Sequence, residues 1–466
     1  MLVFACAPAD SGPTPPSPYR LRSVTAQLES DISVGDIHTG TGTPEHDDTA
    51  RHFVADSHAL MLAGVVNGGL GLVFWAVAAR TLPVEAVGRA STSVMAATTL
   101  GALSNLSMGP FFERFLPTAG ATGRVLILRT HLVVAAVAAL LAAGYLAVAP
   151  RGELFTDTGQ VVMFVVTVVV VGAFALQDSV LIGLLRGRWT AWKNIAHAVA
   201  KLVLLLVFGF VYTDSAAVLL AWTVPAAVAA GVVTVLITTG GAGLRRVFDR
   251  VTATLPPARS LVRECVSLYG IVVVNALLPV TVPLLVVHEL GVTEAAYFGV
   301  SWTLVAGVTL VLSMISGPFV ARAAAAEPAA LPALVHGQTR LLVAVAAAAA
   351  IALGAIAPVA MILLGTQYAD NTRALLWIMA VTQLLSVPGY VFGGLVRVRR
   401  TLRYALCVQA GMAAGVIGLT WSLLPHLGLT AVGLAYLVME FAMILAIAGP
   451  IRRMLREIDA DAREAA

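Results

Sequence analysis

The chain has 466 residues, of which 59% are hydrophobic and 12% charged, with a formal net charge of +4 and a mean hydropathy of +0.90. An average soluble domain carries about 25% charged residues, so a soluble domain is excluded and an integral membrane protein is expected. The charge is uneven: residues 1–58 hold eight acids against three arginines, while the apolar part is basic, with Lys193 and Lys201 its only lysines.

Taken in chain order, residues 1–58 are rich in Pro, Ser, Thr, Gly and Asp and show no helical periodicity. Such a stretch cannot bury enough apolar surface to offset the entropy of folding, so a disordered cytoplasmic tail is expected. Leu2 to Cys6 faintly resembles a lipoprotein cleavage site but lacks the basic and long apolar regions of a signal peptide. From Ala59 onward, apolar segments alternate with short polar loops. About 20 apolar residues cross the hydrocarbon core, and twelve spans are predicted, at 59–79, 90–112, 130–149, 161–185, 194–212, 216–239, 266–288, 296–320, 341–363, 374–395, 404–424 and 428–449. Cys6, Cys265 and Cys407 leave no even set, and no disulfide framework is expected.

Three landmarks recur in one order. Gly109-Pro110-Phe111-x-x-Arg114 returns as Gly317-Pro318-Phe319-x-x-Arg322, at an offset of 208. Arg186-x-Arg188-x-Thr190 returns as Arg397-x-Arg399-x-Thr401, at 211, and Glu85 and Gly88 are echoed by Glu294 and Gly299. A repeat in one direction and phase predicts two parallel six-helix lobes. The expected organisation is a tail at 1–58, an N-terminal lobe at 59–240, a cytoplasmic linker at 241–265, a C-terminal lobe at 266–450 and a cytoplasmic tail at 451–466. Arginines crowd one set of loops, among them Arg114, Arg124, Arg186, Arg245, Arg322 and Arg397, whereas the alternate set holds only Arg80, Arg89, Arg151 and Arg373. Both termini are therefore expected in the cytoplasm.

Charged and amide groups inside the spans are candidate site residues, because such groups usually face a bundle interior or a wet cavity. Lys201 and Asp178 each lie eight residues inside a loop end, about 12 Å deep by helix rise, and equal depth predicts that they pair, with His197 one turn away. Glu440 lies about 18 Å deep, twelve residues before Arg452, as a candidate ion-coupling group with Tyr436 placed to bond it. Asp178 is the second ion-coupling candidate. Asn275, Pro279 and Pro283 share one face of the seventh span, which is expected to be kinked or broken. Asn67 and Asn105 are candidate cavity groups beside Gly64, Gly68, Gly71 and Gly101, where small residues should let helices pack closely. The patterns of a phosphate-binding loop, a zinc site, a nucleophile elbow and a dinucleotide fingerprint are missing from the sequence.

The run from Leu70 through Gly88 and Asn105 to Pro117 resembles the polysaccharide transport family, the oligosaccharide-lipid flippases of the superfamily that also holds multidrug and toxic-compound extruders. The chain departs from that pattern at Ser107, where members often have Gly, and at Glu113. The resemblance implies an all-α membrane fold of two six-helix lobes around a cavity that alternates between the two sides. It implies an inner-membrane flippase for a polyprenyl-(pyro)phosphate-linked oligosaccharide, not an enzyme, working without a cofactor or nucleic acid, as a monomer, with H+ or Na+ as coupling ion. Lys201 and His197 would match the family's cationic cavity, with Arg114 and Arg322 at span ends to receive the head group. A cation-coupled multidrug exporter is the alternative. A membrane glycosyltransferase or polymerase would need charged groups on a long outer loop, and every outer loop here is short.

Overall fold

The computed structural model describes residues 66–116, 119–120, 122–241, 258–399 and 402–465. The expected N-terminal tail, the start of the first span with Gly64, residues 242–257 of the linker, and Thr401 lie outside the described residues, as do the side chains of Arg114 and Cys265.

All regular elements among the described residues are helical. They are α1 (66–81), α2 (Val84–Ser104), α3 (Met108–Phe115), α4 (Thr122–Val148), the short α5 (Arg151–Leu154), α6 (Thr158–Gly183), α7 (Gly187–Gly209) and α8 (Ser215–Thr239). The second half has α9 (Ala258–Ala325), α10 (Leu331–Ile351) leading through a π turn into α11 (Ala357–Leu364), the bent pair α12 (Thr366–Leu385) and α13 (Val387–Arg399), α14 (Leu402–Leu427) and α15 (Thr430–Ala465). Eight of these are long and apolar enough to cross a membrane, or nine with the bent pair as one span. That count takes α9 once, although it carries both the seventh and eighth predicted spans, and it omits α1 and α2, which carry the first two. The molecule is an all-α membrane protein of twelve spanning segments in two lobes.

Two expectations about breaks are corrected. The prolines do not interrupt the seventh span, since the sole residue of α9 with non-helical backbone is Gly291, at φ 84° and ψ 176°. Only glycine adopts that conformation readily, so the turn into the eighth span falls there. The second span, expected to be continuous, is broken at Asn105 to Ser107, with Leu106 at φ 49° and Ser107 at φ 58°.

Several polar groups at membrane depth are satisfied locally or between helices, as a solvent without hydrogen bonds favours. Thr98 and Thr99 hydroxyls donate to the carbonyls of Val94 and Met95, both at 2.8 Å. Thr167 and Thr223 hydroxyls meet at 2.7 Å between α6 and α8, and Gln177 Nε2 donates to Ala230 O at 2.9 Å. At the start of α6, the Gln160 N–H donates to the Asp157 carboxylate at 3.0 Å. That bond is the main cause holding the exposed Asp157 carboxyl below the usual carboxylate range.

The lobes meet chiefly where α2 crosses the second arm of α9. The echoed glycines make the crossing possible: a Cβ added at Gly88 would collide with the Val292 carbonyl, and one added at Gly299 would collide with the Ser91 side chain. Ser91 Oγ donates across the seam to Ala295 O at 3.3 Å. Further along, α2 turns to its own lobe, and Gly101 packs on the backbone of Gly172. The first-span glycines do not act as expected, since nothing lies within 4 Å of a Cβ added at Gly68 or Gly71. Past the last span, α15 continues to Ala465 and buries Ile458 beside Phe319, Val335 and Leu395. Arg399 Nη2 pairs there with Asp461 at 3.2 Å.

Candidate functional site

The buried charges of the N-terminal lobe lie along α7. Lys193, Asn194, His197 and Lys201 follow one another on it, and α6 supplies Phe174 and Asp178. The expected pair between Asp178 and Lys201 is not formed. Asp178 Oδ1 lies 2.8 Å from Lys193 Nζ instead. Lys193, expected in a loop, is inside α7 with its side chain 4% exposed, and it also donates to the Phe174 carbonyl at 2.5 Å. Asn194 Nδ2 donates to Asp178 Oδ2 at 3.2 Å. The carboxylate is thus neutralised at the end of the lobe where the R-x-R turn lies.

Lys201 sits two turns deeper. It is 6% exposed, and no carboxylate pairs with it among the described residues. Its ammonium lies 3.7 Å from the centre of the Trp222 ring and 5.4 Å from that of Phe74. Aromatic faces attract a cation and do so more strongly when water is excluded, but they leave its three N–H donors for another acceptor. His197 lies beside it and donates from Nε2 to the Trp222 carbonyl at 3.1 Å, because a carbonyl oxygen can only accept. Trp222, Phe74 and Phe174 had no signal in the sequence. Lys193 had one, its position eight residues before Lys201 on the same helix.

In the C-terminal lobe, Glu440 is 4% exposed and its Oε1 has no hydrogen-bond partner. Tyr436 does not bond it; the Tyr436 ring packs 5.4 Å from that of Trp302. Near the carboxylate, Gly389 makes way for the Met443 side chain, whose methyl would lie 2.6 Å from a Cβ added there. The adjacent Tyr390 donates to the Thr309 carbonyl at 3.3 Å. Gln338, missed by the sequence reading, is buried with both ends of its amide unpartnered.

The remaining candidates are dispersed. Asn67 is half-buried near the start of α1, Asn275 is exposed on the first arm of α9, and Arg322 is exposed near the end of α9. Asn105 lies at the break in the second span with Oδ1 buried and unpartnered. The structure thus holds Lys201 and His197 together, puts Asp178 in a separate pair nearby, and sets Glu440 in the other lobe.

The arrangement of helices matches solved structures. These include the inward-facing conformation of a multidrug resistance MATE family transporter of the MOP superfamily, with a TM-score of 0.55 and 13% identity over 88% of this chain and 96% of that one. MATE in the straight conformation matches with a TM-score of 0.57 and 13% identity over 88% and 96%. The MATE multidrug transporter DinF-BH matches with a TM-score of 0.54 and 14% identity over 91% and 99%. At such identities the likeness defines the fold: twelve membrane helices in two six-helix lobes, as in MOP-superfamily transporters. No protein-family model matches the sequence, and a search of curated proteins finds no match.

Proposed function

We propose that the chain is an alternating-access transporter of the bacterial inner membrane, with both termini in the cytoplasm, acting as a monomer on a substrate with an anionic head and a lipid tail. A polyprenyl-(pyro)phosphate-linked oligosaccharide fits best. The observation that supports this reading is Lys201, a buried ammonium held by ring faces and left without a carboxylate among the described residues. A diphosphate leaving water must find positive charge or abandon the crossing. His197 lies next to that charge, Asn67, Asn105 and Asn275 would offer amides to the sugars, and Arg114 and Arg322 would receive the head group. Asp178, engaged by Lys193, stabilises the site and is not free to bind a cation.

A second reading has its own support. The solved structures named above are of multidrug transporters, and that likeness favours a cation-coupled exporter. The buried Glu440, with one oxygen unpartnered, would bind H+ or Na+ under either reading. Transport in proteoliposomes separates the two. For an anionic lipid-linked glycan, Lys201→Arg should keep part of the rate, and Lys201→Gln should lose most of it at equal protein level. A normal glycan rate in the Gln variant would remove Lys201 from the mechanism. Efflux of a lipophilic cationic dye with no glycan transport would establish the exporter.

A further inference from the structure

The two lobes differ where the repeat predicts they should agree. In the C-terminal lobe, the stretch leading to Gly317 runs inside α9 without a break after Gly291. In the N-terminal lobe, the matching stretch leading to Gly109 is interrupted, and Leu106 and Ser107 both take left-handed backbone. Residues with a Cβ avoid that region, which favours glycine. Ser107 is 7% exposed, and among the described residues its hydroxyl and the side-chain amide oxygen of Asn105 are buried without hydrogen-bond partners. Strained backbone combined with unmet polar atoms marks a segment with a second arrangement available to it.

Beyond the break, α3 lies on α6. Ser179 Oγ donates to Glu113 Oε1 at 2.8 Å. Gly109 lets α3 approach, since a Cβ there would stand 2.8 Å from Ser179 Oγ, and the Phe112 carbonyl is seated on Gly183. Ser179 adjoins Asp178, the outermost member of the polar series that runs through Lys193 and His197 to Lys201. The short helix therefore borders the way into that series, and among the described side chains a hydrogen bond joins it to α6 through Glu113, one of the two residues at which the chain departs from the pattern it otherwise resembles.

We propose that α3 is a hinged gate of the N-terminal lobe, turning about Leu106 and Ser107 and latched to α6 by the hydrogen bond from Ser179 to Glu113, while the matching helix of the other lobe moves in one piece. A carboxylate that accepts a hydroxyl proton makes a stronger bond than two neutral groups do, and the latch is exposed enough to exchange with water. Substrate or ion arriving at the mouth can therefore compete for it.

The test is a distance, so it stands apart from the identity of the cargo. The full chain in lipid nanodiscs would carry spin labels at Phe115→Cys on α3 and Thr238→Cys at the same end of α8, with the native cysteines replaced. The latched state gives one distance. Ser179→Ala should raise the ratio of a displaced population to the latched one about tenfold, the worth of one hydrogen bond to a charged group. Leu106→Val with Ser107→Val sets β-branched side chains in the left-handed turn, where they are least tolerated, and should make the displaced population dominant. Ser107→Gly, which accepts that backbone, should keep the latched distance. A label pair at Val320→Cys and Arg452→Cys in the other lobe should show one distance throughout. If the valine pair fails to reach the membrane, Ser179→Ala alone decides, since it removes one hydroxyl from a half-buried position and adds no bulk. A single unchanged distance on α3 in Ser179→Ala would overturn the gate.

Discussion

The ion pair between Asp178 and Lys193 can be taken apart by a double-mutant cycle with an unequal outcome. Lys193 has 4% of its side chain exposed and Asp178 31%, so the two changes strand different charges. Asp178→Asn leaves a buried ammonium. Breaking a dry pair in this way costs about 3–5 kcal/mol, but Lys193 keeps the Phe174 carbonyl at 2.5 Å and the Phe174 ring at 3.5 Å. An expected loss of about 2–3 kcal/mol remains. Lys193→Met leaves a carboxylate that can reach water and still accepts from Asn194, so about 1–2 kcal/mol is expected. The double variant strands nothing, and its loss should fall short of the sum by about 2 kcal/mol. Lys201→Met combined with Asp178→Asn should instead be additive to within about 0.5 kcal/mol. The measurement is equilibrium unfolding of the purified protein by denaturing detergent, followed by tryptophan fluorescence. Coupling at 178 and 201, or additivity at 178 and 193, would refute the reasoning.

The lobe seam offers a matched pair of glycine substitutions. Gly88→Ala sets a Cβ against the Val292 backbone, which cannot swing aside, and should destabilise the protein by about 1–3 kcal/mol, whereas Gly307→Ala meets nothing within 4 Å and should be neutral or stabilising by up to about 1 kcal/mol; equal effects in the same unfolding assay would mean that the crossing is not tight. Orientation is checked with single cysteines at Gly152, Asp370 and Arg188, all exposed. An impermeant thiol reagent outside intact cells should label the first two only, and labelling at 188 would invert the assignment.

Much of the architecture could be read from the residues because its causes are local or periodic. The lengths of the apolar segments foretold the helices, while the echo of Gly88 at Gly299 was read only as a mark of duplication, although these two glycines are where the lobes approach. The pairing of Asp178 was misread for a geometric reason. Depth along a helix follows from counting residues, but direction around it needs the angle as well: eight residues advance about 12 Å and turn about 80° beyond two full turns. Lys193 therefore faces Asp178, while Lys201 faces Trp222 and Phe74. The prolines misled in a similar way. A missing backbone donor does not by itself break a helix when neighbours support it, whereas a glycine at φ 84° does.

What counting could not show is where the two halves stopped being alike. A parallel duplicate relates its lobes by an axis along the membrane normal, so exact symmetry would set the same groups at the same depth in both lobes. Here the symmetry fails in three places. The second span is broken and its counterpart continuous; among the described residues, an ammonium without a carboxylate lies in the N-terminal lobe and a carboxylate with an unpartnered oxygen in the C-terminal lobe. Each failure is a group whose surroundings must differ between the two states if the lobes rock against each other. Under the proposed function, a ligand that meets Lys201, or an ion that meets Glu440, would have the differential interaction that shifting a population requires. The duplication accounts for the fold, and under the proposed function the divergence within it is where a ligand and an ion would act.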